Sequence, residues 1–445
     1  MNSSKPSLII FSILTGTFLI PVNSTMIAVG LPSIAKALHL SIVHVSVVVT
    51  IYLIVMAVAQ PIAGKLGDLY GNKTMFVAGM IIFLVGSAAC VFSYNLLSLT
   101  VFRTLQALGG ALATPNATAI MRHSLPKEKL GRTLGLFGLS MGLGAAVGPV
   151  LGAFLIKYLG WTSIFWFNVP FAVLSLICSF IYVPSNVKQK AKMLDIGGAF
   201  LLGVSMTSFT LMLTHRDLFN AWTIFICIAS IVLFIVQERK VQEPLIDFKL
   251  FKVRPFFSSN LSILCSNFMM YSTILFVPLL LEKQYDIRLI GLLLFFFSLA
   301  MSISSWLGGL LAEKVGKEHP IRLSFLISLL AAMLYFHLAN ASISYTIVSL
   351  LVGGVGAGIG VSSMQAMNIQ SVKKEQSGTA SGIYSTFRYI GGMLASAAVS
   401  LLVGTTGLLV VLCIAGIAGF LVSLVGKEKE KEKEKQVSLS KDVFK

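Results

Sequence analysis

Charge is scarce in this sequence: Asp, Glu, Lys and Arg make up 11% of its 445 residues, against about a quarter in an ordinary globular domain. Cysteine is equally uninformative. The five cysteines (Cys90, Cys178, Cys227, Cys265 and Cys413) are odd in number, lie inside apolar stretches and lack any CxxC spacing, so neither disulfides nor a metal site is expected. The six histidines (His39, His44, His123, His215, His319 and His337) show no ligand spacing. An intramembrane enzyme needs paired acids or a His with a carboxylate near the membrane face, usually with a metal, and this scatter disfavours it. With no internal loop long enough for an extramembrane domain, a sensor or receptor is disfavoured too.

What is abundant is apolar sequence, 56% of the chain. It comes in blocks of the roughly 20 residues that cross a hydrocarbon core as a helix. Fourteen blocks are expected to span, near residues 8–30, 43–63, 75–93, 97–121, 133–156, 163–183, 196–214, 220–237, 257–281, 289–312, 322–339, 343–366, 379–403 and 406–425. They lack the two-residue alternation of barrel strands, so an all-α membrane protein follows. The first block is too long, and too interrupted by Pro21 and Asn23, for a cleaved signal.

The net charge of +17 would point to nucleic acid in a soluble protein. Here its distribution matters more. With the N-terminus in the cytoplasm, only Lys36, Lys157, Arg216, Lys283 and Arg288 fall in outer loops, and Arg103 and Arg388 within spans. Every other Lys and Arg is then cytoplasmic, which is the positive-inside bias and predicts both termini in the cytoplasm. The alternating Lys/Glu run from Lys427 to Lys435 reads as a solvated tail.

Two sequence echoes divide the chain. Gly64-Lys65-Leu66-Gly67-Asp68-Leu69-Tyr70-Gly71 matches Gly309-Leu310-Leu311-Ala312-Glu313-Lys314-Val315-Gly316, and Gly131 with Gly135 matches Gly378 with Gly382. Both offsets exceed half the chain, because spans seven and eight have no counterpart. The expected organisation is an N-terminal six-helix bundle (1–183), two inserted helices with linkers (184–255), a C-terminal six-helix bundle (256–425) and a charged tail (426–445). Repeated halves around a shared site are typical of secondary transporters.

Several motifs resemble the major facilitator superfamily, specifically its fourteen-span drug:proton antiporter branch. The stretch Gly64 to Lys73, read as a loop, is similar to the superfamily's signature after helix two; Asp68 there can cap a helix or pair with a cation. Together with Gly71 and Glu313, the resemblance implies a cytoplasmic latch. Arg103-Thr104-Leu105-Gln106-Ala107-Leu108-Gly109 resembles the family's Arg-x-x-Gln-Gly-x-Gly pattern, implying that Arg103 and Gln106 act in proton coupling; an arginine snorkelling to the surface is the other reading.

Gly144, Gly148, Pro149 and Gly152 resemble the antiporter signature, a bare stripe for close helix packing with a proline bend. Gly160 to Pro170 and Pro244 to Phe251 are similar to stretches of the same branch.

The departure is in span one, where the branch carries an aspartate and this chain has Asn23. None of the 17 acids falls mid-span; Asp195, Glu282 and Glu313 lie at boundaries. A buried carboxylate is the usual proton carrier and counter-charge for cationic drugs. Its absence predicts a neutral or weakly basic cavity that prefers neutral, zwitterionic or anionic amphiphiles. Arg388 in span thirteen binds an anionic substrate group or plays a structural role. Asn23, Gln60, Asn116, Asn267, Tyr271 and Gln365 are further cavity candidates.

The expectation is therefore a monomeric bacterial cytoplasmic-membrane exporter of small amphiphiles, coupled to protons by resemblance and working without cofactor, metal or nucleic acid. An uncoupled facilitator or single-metabolite exporter is the alternative.

Overall fold

The computed structural model describes residues 6–185, 195–214, 220–241, 244–281, 284–402 and 405–426. Glu282, Arg216, Lys283 and the Lys/Glu tail from Lys427 lie outside the described residues. The described residues are almost wholly helical. The first half comprises α1 (Pro6–Ala37), α2 (Ile42–Tyr70), α3 (Asn72–Val91), α4 (Leu96–Ser124), α5 (Lys127–Leu159), α6 (Ser163–Trp166) and α7 (Asn168–Tyr182). Two further helices follow, α8 (Ile196–Thr214) and α9 (Ala221–Lys240). The second half comprises α10 (Arg254–Leu281), α11 (Ile287–Val315), α12 (Glu318–Tyr335), α13 (Ile343–Ile359), α14 (Val361–Gln370), α15 (Ser377–Leu401) and α16 (Thr405–Val425).

Two of these rods are interrupted. Pro170 in the first turn of α7 has no N–H for the Trp166 carbonyl, and the chain kinks at Phe167 between α6 and α7. The α13 to α14 break falls at Gly360, after a run in which Gly353, Gly354, Gly356 and Gly358 already weaken the helix. Joined across these breaks, fourteen rods occupy the fourteen apolar blocks. Among the described residues eleven are long and apolar enough to cross a membrane. The apolar part of α8 is shorter, Ile196–Met212, and α12 and α15 are not among the eleven.

The rods run alternately up and down, so α1 begins and α16 ends at one face, called here the terminal face. Each half has its own core. One set of buried clusters comes almost wholly from residues 9–183, the other from residues 263–412. The halves meet along α2 with α15 and α5 with α11, and α8 packs on α9, α2 and α15. Outward-facing residues of α9 such as Trp222 and Phe225 are exposed apolar surface, as a lipid-facing helix requires.

The stretch Gly64 to Lys73 is not the loop expected from its glycines. Helix α2 continues to Tyr70, and only Gly71, at φ 100°, leaves helical geometry before α3 begins at Asn72. Gly316, at φ 87°, ends α11 in the same way. The left-handed turn needs glycine at those two places. Gly64 and Gly67 lie in the helix for a different reason.

Candidate functional site

That reason is contact between the halves. A Cβ on Gly64 would run into the Gly378 carbonyl oxygen, and one on Gly378 into the Gly64 carbonyl oxygen and, at 2.7 Å, Asp68 Oδ1. The backbones of α2 and α15 touch here with no side chain between them. On the other side of the molecule a Cβ on Gly309 would lie 2.6 Å from the Gly131 carbonyl oxygen, and one on Gly135 3.1 Å from that of Trp306. The two sequence echoes are thus partners: the first motif of each half rests on the second motif of the other.

Electrostatics follows the same cross-pairing. Helices α2, α4, α9, α11 and α13 begin with a local side-chain cap, from Ser41, Asn95, Asn220, Asp286 and Ser342. Helix α15 has none of its own. Asp68 supplies it from the other half, accepting the Gly378 N–H at 2.8 Å and the Thr379 N–H at 2.7 Å. Those are the second and third N–H groups of α15, the donors a helix leaves unsatisfied, and the positive helix end favours the carboxylate. Glu313 makes the counterpart, Oε1 accepting the Arg132 N–H of α5 at 3.1 Å. It is a single bond, beyond the first turn of α5.

Further bonds seal this face. Thr118 and Ser381 hydroxyls lie 2.6 Å apart across the halves, and Arg122 Nη2 donates to the Val372 carbonyl at 2.6 Å. Residues Ser377 to Thr386 of α15 are all buried, whereas Phe387 to Ile390 are half-buried. The interface is closed at the terminal face, and α15 is less deeply buried farther along.

Asn116, expected in the cavity, belongs to this seal. It fills the space left by Gly67, accepts from Asn72 Nδ2 at 3.0 Å, and donates to the Ala63 and Leu112 carbonyls at 3.1 and 2.7 Å. Its hydrogen bonds are used within the first half, and it is fully buried. Gln60 is also buried, its backbone carbonyl 2.5 Å from a Cβ on Gly382.

A second polar cluster lies inside the first half. Arg103 is fully buried and does not snorkel. Its Nη1 donates to Gln106 Oε1 at 2.6 Å, and its guanidinium carbon lies 4.2 Å from the Tyr52 ring centroid and 6.0 Å from that of Phe165. Gln106 Oε1 also accepts Asn23 Nδ2 at 3.0 Å, and Gln106 Nε2 donates to Ser87 Oγ at 2.6 Å. Asn168 Nδ2 in turn donates to Asn23 Oδ1 at 3.0 Å.

Four helices contribute amides and a hydroxyl to this knot, and no carboxylate. Arg103 Nε and Nη2 are left buried without a hydrogen-bond partner. One charge-assisted bond, about 1.5–3 kcal/mol, and two ring contacts, the nearer worth about 0.5–2 kcal/mol and the other at the limit of range, offset only part of the several kcal/mol that burying an ion costs.

The glycine stripe of α5 packs on α1. Cβ atoms on Gly144, Gly148 and Gly152 would meet the Phe18 carbonyl at 3.0 Å, the Val22 carbonyl at 2.9 Å and Met26 at 3.1 Å. Helix α5 runs unbroken through Pro149. In the second half Asn267 Nδ2 bonds the Ile263 carbonyl at 3.2 Å while its Oδ1 is buried and unpaired. Tyr271 lies against Gly392, Gln365 is buried on α14, and Arg388 is half-buried on α15. The next residue, Tyr389, packs across the interface on the cluster that holds Tyr52 and Met56. Tyr52, Ser87 and Tyr389 carry no signal in the sequence, and Asn168 lies within the Gly160 to Pro170 stretch with nothing to mark it as a partner of Asn23. They lie on different helices and share no spacing.

Comparison with known proteins places this geometry. The sequence profile of the Major Facilitator Superfamily matches residues 13–396 and again 260–442. The chain is 43% identical to the uncharacterized MFS-type transporter YvkA of Bacillus subtilis (strain 168), over 95% of this chain and 97% of that one. It is 27% identical to multidrug resistance protein 3 of the same organism, over 88% of this chain and 78% of that one. Among solved structures, that of the human organic anion transporter MFSD10 superposes with a TM-score of 0.69 at 15% identity, covering 95% of this chain and all of that one, a likeness of fold.

Proposed function

This chain belongs to the Major Facilitator Superfamily, a family of transporters rather than enzymes, and we propose that it exports small amphiphilic compounds by proton antiport. In this reading fourteen spans divide as six, two and six, the protein works as a monomer in a bacterial cytoplasmic membrane, and the terminal face is cytoplasmic. The observation that carries the reading is the cross-capping of α15 by Asp68 with its Glu313 counterpart on α5. Two repeat halves held at one face by a few polar bonds between bare backbones can part there and close at the other.

Asp68, Gly64, Gly71 and Glu313 are the gate residues. Arg103 and Gln106 are the coupling residues, and the cavity draws on Asn267, Tyr271, Gln365, Tyr389 and Arg388. Export direction rests on the Gly144, Gly148, Pro149 and Gly152 resemblance. With arginine the only charge in the knot and on the less buried part of α15, neutral, zwitterionic or anionic amphiphiles are the favoured cargo, and similarity to a multidrug resistance protein supports the amphiphilic class.

The amide knot around Arg103 favours a second reading, an uncoupled facilitator or single-metabolite exporter, because no acid is present there to carry a proton. Proteoliposomes with an imposed pH gradient separate the two. Antiport predicts uphill movement of an amphiphilic substrate driven by the gradient alone. Downhill flux that ignores the gradient would establish the second reading instead.

A further inference from the structure

The inserted helices carry two acids that export, as described above, does not use. Asp195 sits just before α8 and Glu238 in the last turn of α9, both at the terminal face. They are only 8% and 4% exposed. Asp195 Oδ1 accepts the Gly198 N–H at 2.9 Å, an N-cap for α8, and Gln237 Nε2 at 3.1 Å. Glu238 Oε2 accepts the Ile246 N–H at 3.0 Å. The second oxygen of each, Asp195 Oδ2 and Glu238 Oε1, is buried with no partner. Both lie 2.6 Å from the position a Cβ on Gly198 would take, so they are separated by no more than twice that distance.

Two buried carboxylates this close repel if both are ionised. A single proton on either acid removes one charge, and once the gap closes to hydrogen-bond length it turns the two orphan acceptors into a donor and an acceptor. We propose that Asp195 and Glu238 form a proton-binding site, the pair holding one proton, on Asp195 Oδ2 or Glu238 Oε1, while the terminal face is closed.

A metal ion suits the site poorly. Ca²⁺ takes about six to eight oxygens and Mg²⁺ a near-octahedral set, whereas the neighbours here are N–H donors. Among the described residues no three His, Cys, Asp or Glu converge.

The surrounding charges are few. Lys65 of α2 lies within electrostatic reach of Glu238, and Asp68, one turn farther along α2, is engaged by α15. Arg239 and Lys240 beside Glu238 are exposed, α8 carries no charge, and Asp247 of the following segment caps Lys249 N–H. The one charge of α15 is Arg388, beyond its buried first stretch.

Helix α8 packs on α2 and α15, the two helices that Asp68 joins, and Lys65 falls between Gly64 and Asp68. Releasing the proton leaves two negative charges at the foot of the inserted pair, beside Lys65. Docking of that pair on the gate is thereby tied to protonation at this face. The site stands on this geometry and not on antiport: failure of gradient-driven export would leave its titration unchanged.

Infrared spectroscopy of the full-length protein in nanodiscs tests it. At neutral pH the wild type should show a protonated-carboxyl stretch that Asp195→Asn and Glu238→Gln each diminish by one carboxyl, and that the double substitution diminishes no further. A band unchanged in both single variants, a band lost twice over in the double variant, or one abolished by Na⁺ or Mg²⁺ at fixed pH would overturn the proposal. Should the variants fail to fold, the wild type decides through a hydrophobic carbodiimide, which labels protonated carboxyls. Label on Asp195 or Glu238 at neutral pH that fades as pH rises supports the site, and absence of label on both at every pH refutes it.

Discussion

Replacing Gly64 by alanine drives a methyl group into the Gly378 carbonyl oxygen of α15. The obstacle is backbone on both sides, so no side chain can turn away to make room. Ordinary carbon contacts begin at about 3.5 Å, and relieving the overlap requires α2 and α15 to part by roughly an ångström or more. The bonds from Gly378 and Thr379 N–H to Asp68, now 2.8 and 2.7 Å, then stretch past the ~3.5 Å at which such bonds are lost.

Each is a bond to a charged acceptor, with a net value of about 1.5–3 kcal/mol. Losing both removes about 3–6 kcal/mol from closure, roughly a 10²- to 10⁴-fold fall in its equilibrium constant at 1.4 kcal/mol per decade. Spin labels at Tyr70→Cys and Lys374→Cys, both exposed at the terminal face, report the separation by double electron–electron resonance. Gly64→Ala should move the distribution to longer distances. Gly203→Ala should not, since its Cβ would meet only Val58 at an ordinary 3.5 Å. An unchanged distribution in Gly64→Ala would refute the claim that bare backbone contact sets the closed state.

Glu313→Gln should open the α5–α11 side by no more than about tenfold, because it weakens one bond rather than two, and less than Asp68→Asn opens the α2–α15 side; paired spin labels on each side measure both. Arg103→Met should abolish transport while leaving the melting temperature unchanged or raised, since an apolar residue of similar volume in place of a poorly compensated buried ion is neutral or stabilising by about 1–4 kcal/mol; a clear fall in melting temperature would mean that the knot is a net source of stability. Asn23→Asp places a carboxylate beside the Gln106 oxygen that Arg103 already uses, and should shift preference toward cationic amphiphiles by roughly tenfold in competition assays, about 1.4 kcal/mol; an unaltered preference would separate this cluster from substrate selection.

The apolar blocks of the sequence locate every rod, because twenty consecutive apolar residues have few other folded states. The ends are less legible. Glu238 lies just past an apolar block, yet α9 continues to Lys240 and buries it, since hydropathy falls at a helix end before the hydrogen bonding does. Gly64 and Gly67 look like turn residues, and only the approach of α15 and Asn116 explains them as helical.

Each glycine echo was visible as a repeat, but that one motif rests on the other required the topology of the two halves. The Arg103 knot was half legible. Arg103, Gln106 and the missing acid at Asn23 stood out, whereas Ser87 and Asn168 reach the cluster from separate helices and leave no signal in spacing.

The account turns on opening at the terminal face during transport, and a reversible bridge across that face tests it most directly. Thr118 and Ser381 place their hydroxyls 2.6 Å apart on opposite halves, so Thr118→Cys together with Ser381→Cys should form a disulfide on oxidation. Substrate export measured in proteoliposomes should stop when the bridge forms and return on reduction. Undiminished export with the bridge fully formed would contradict the account.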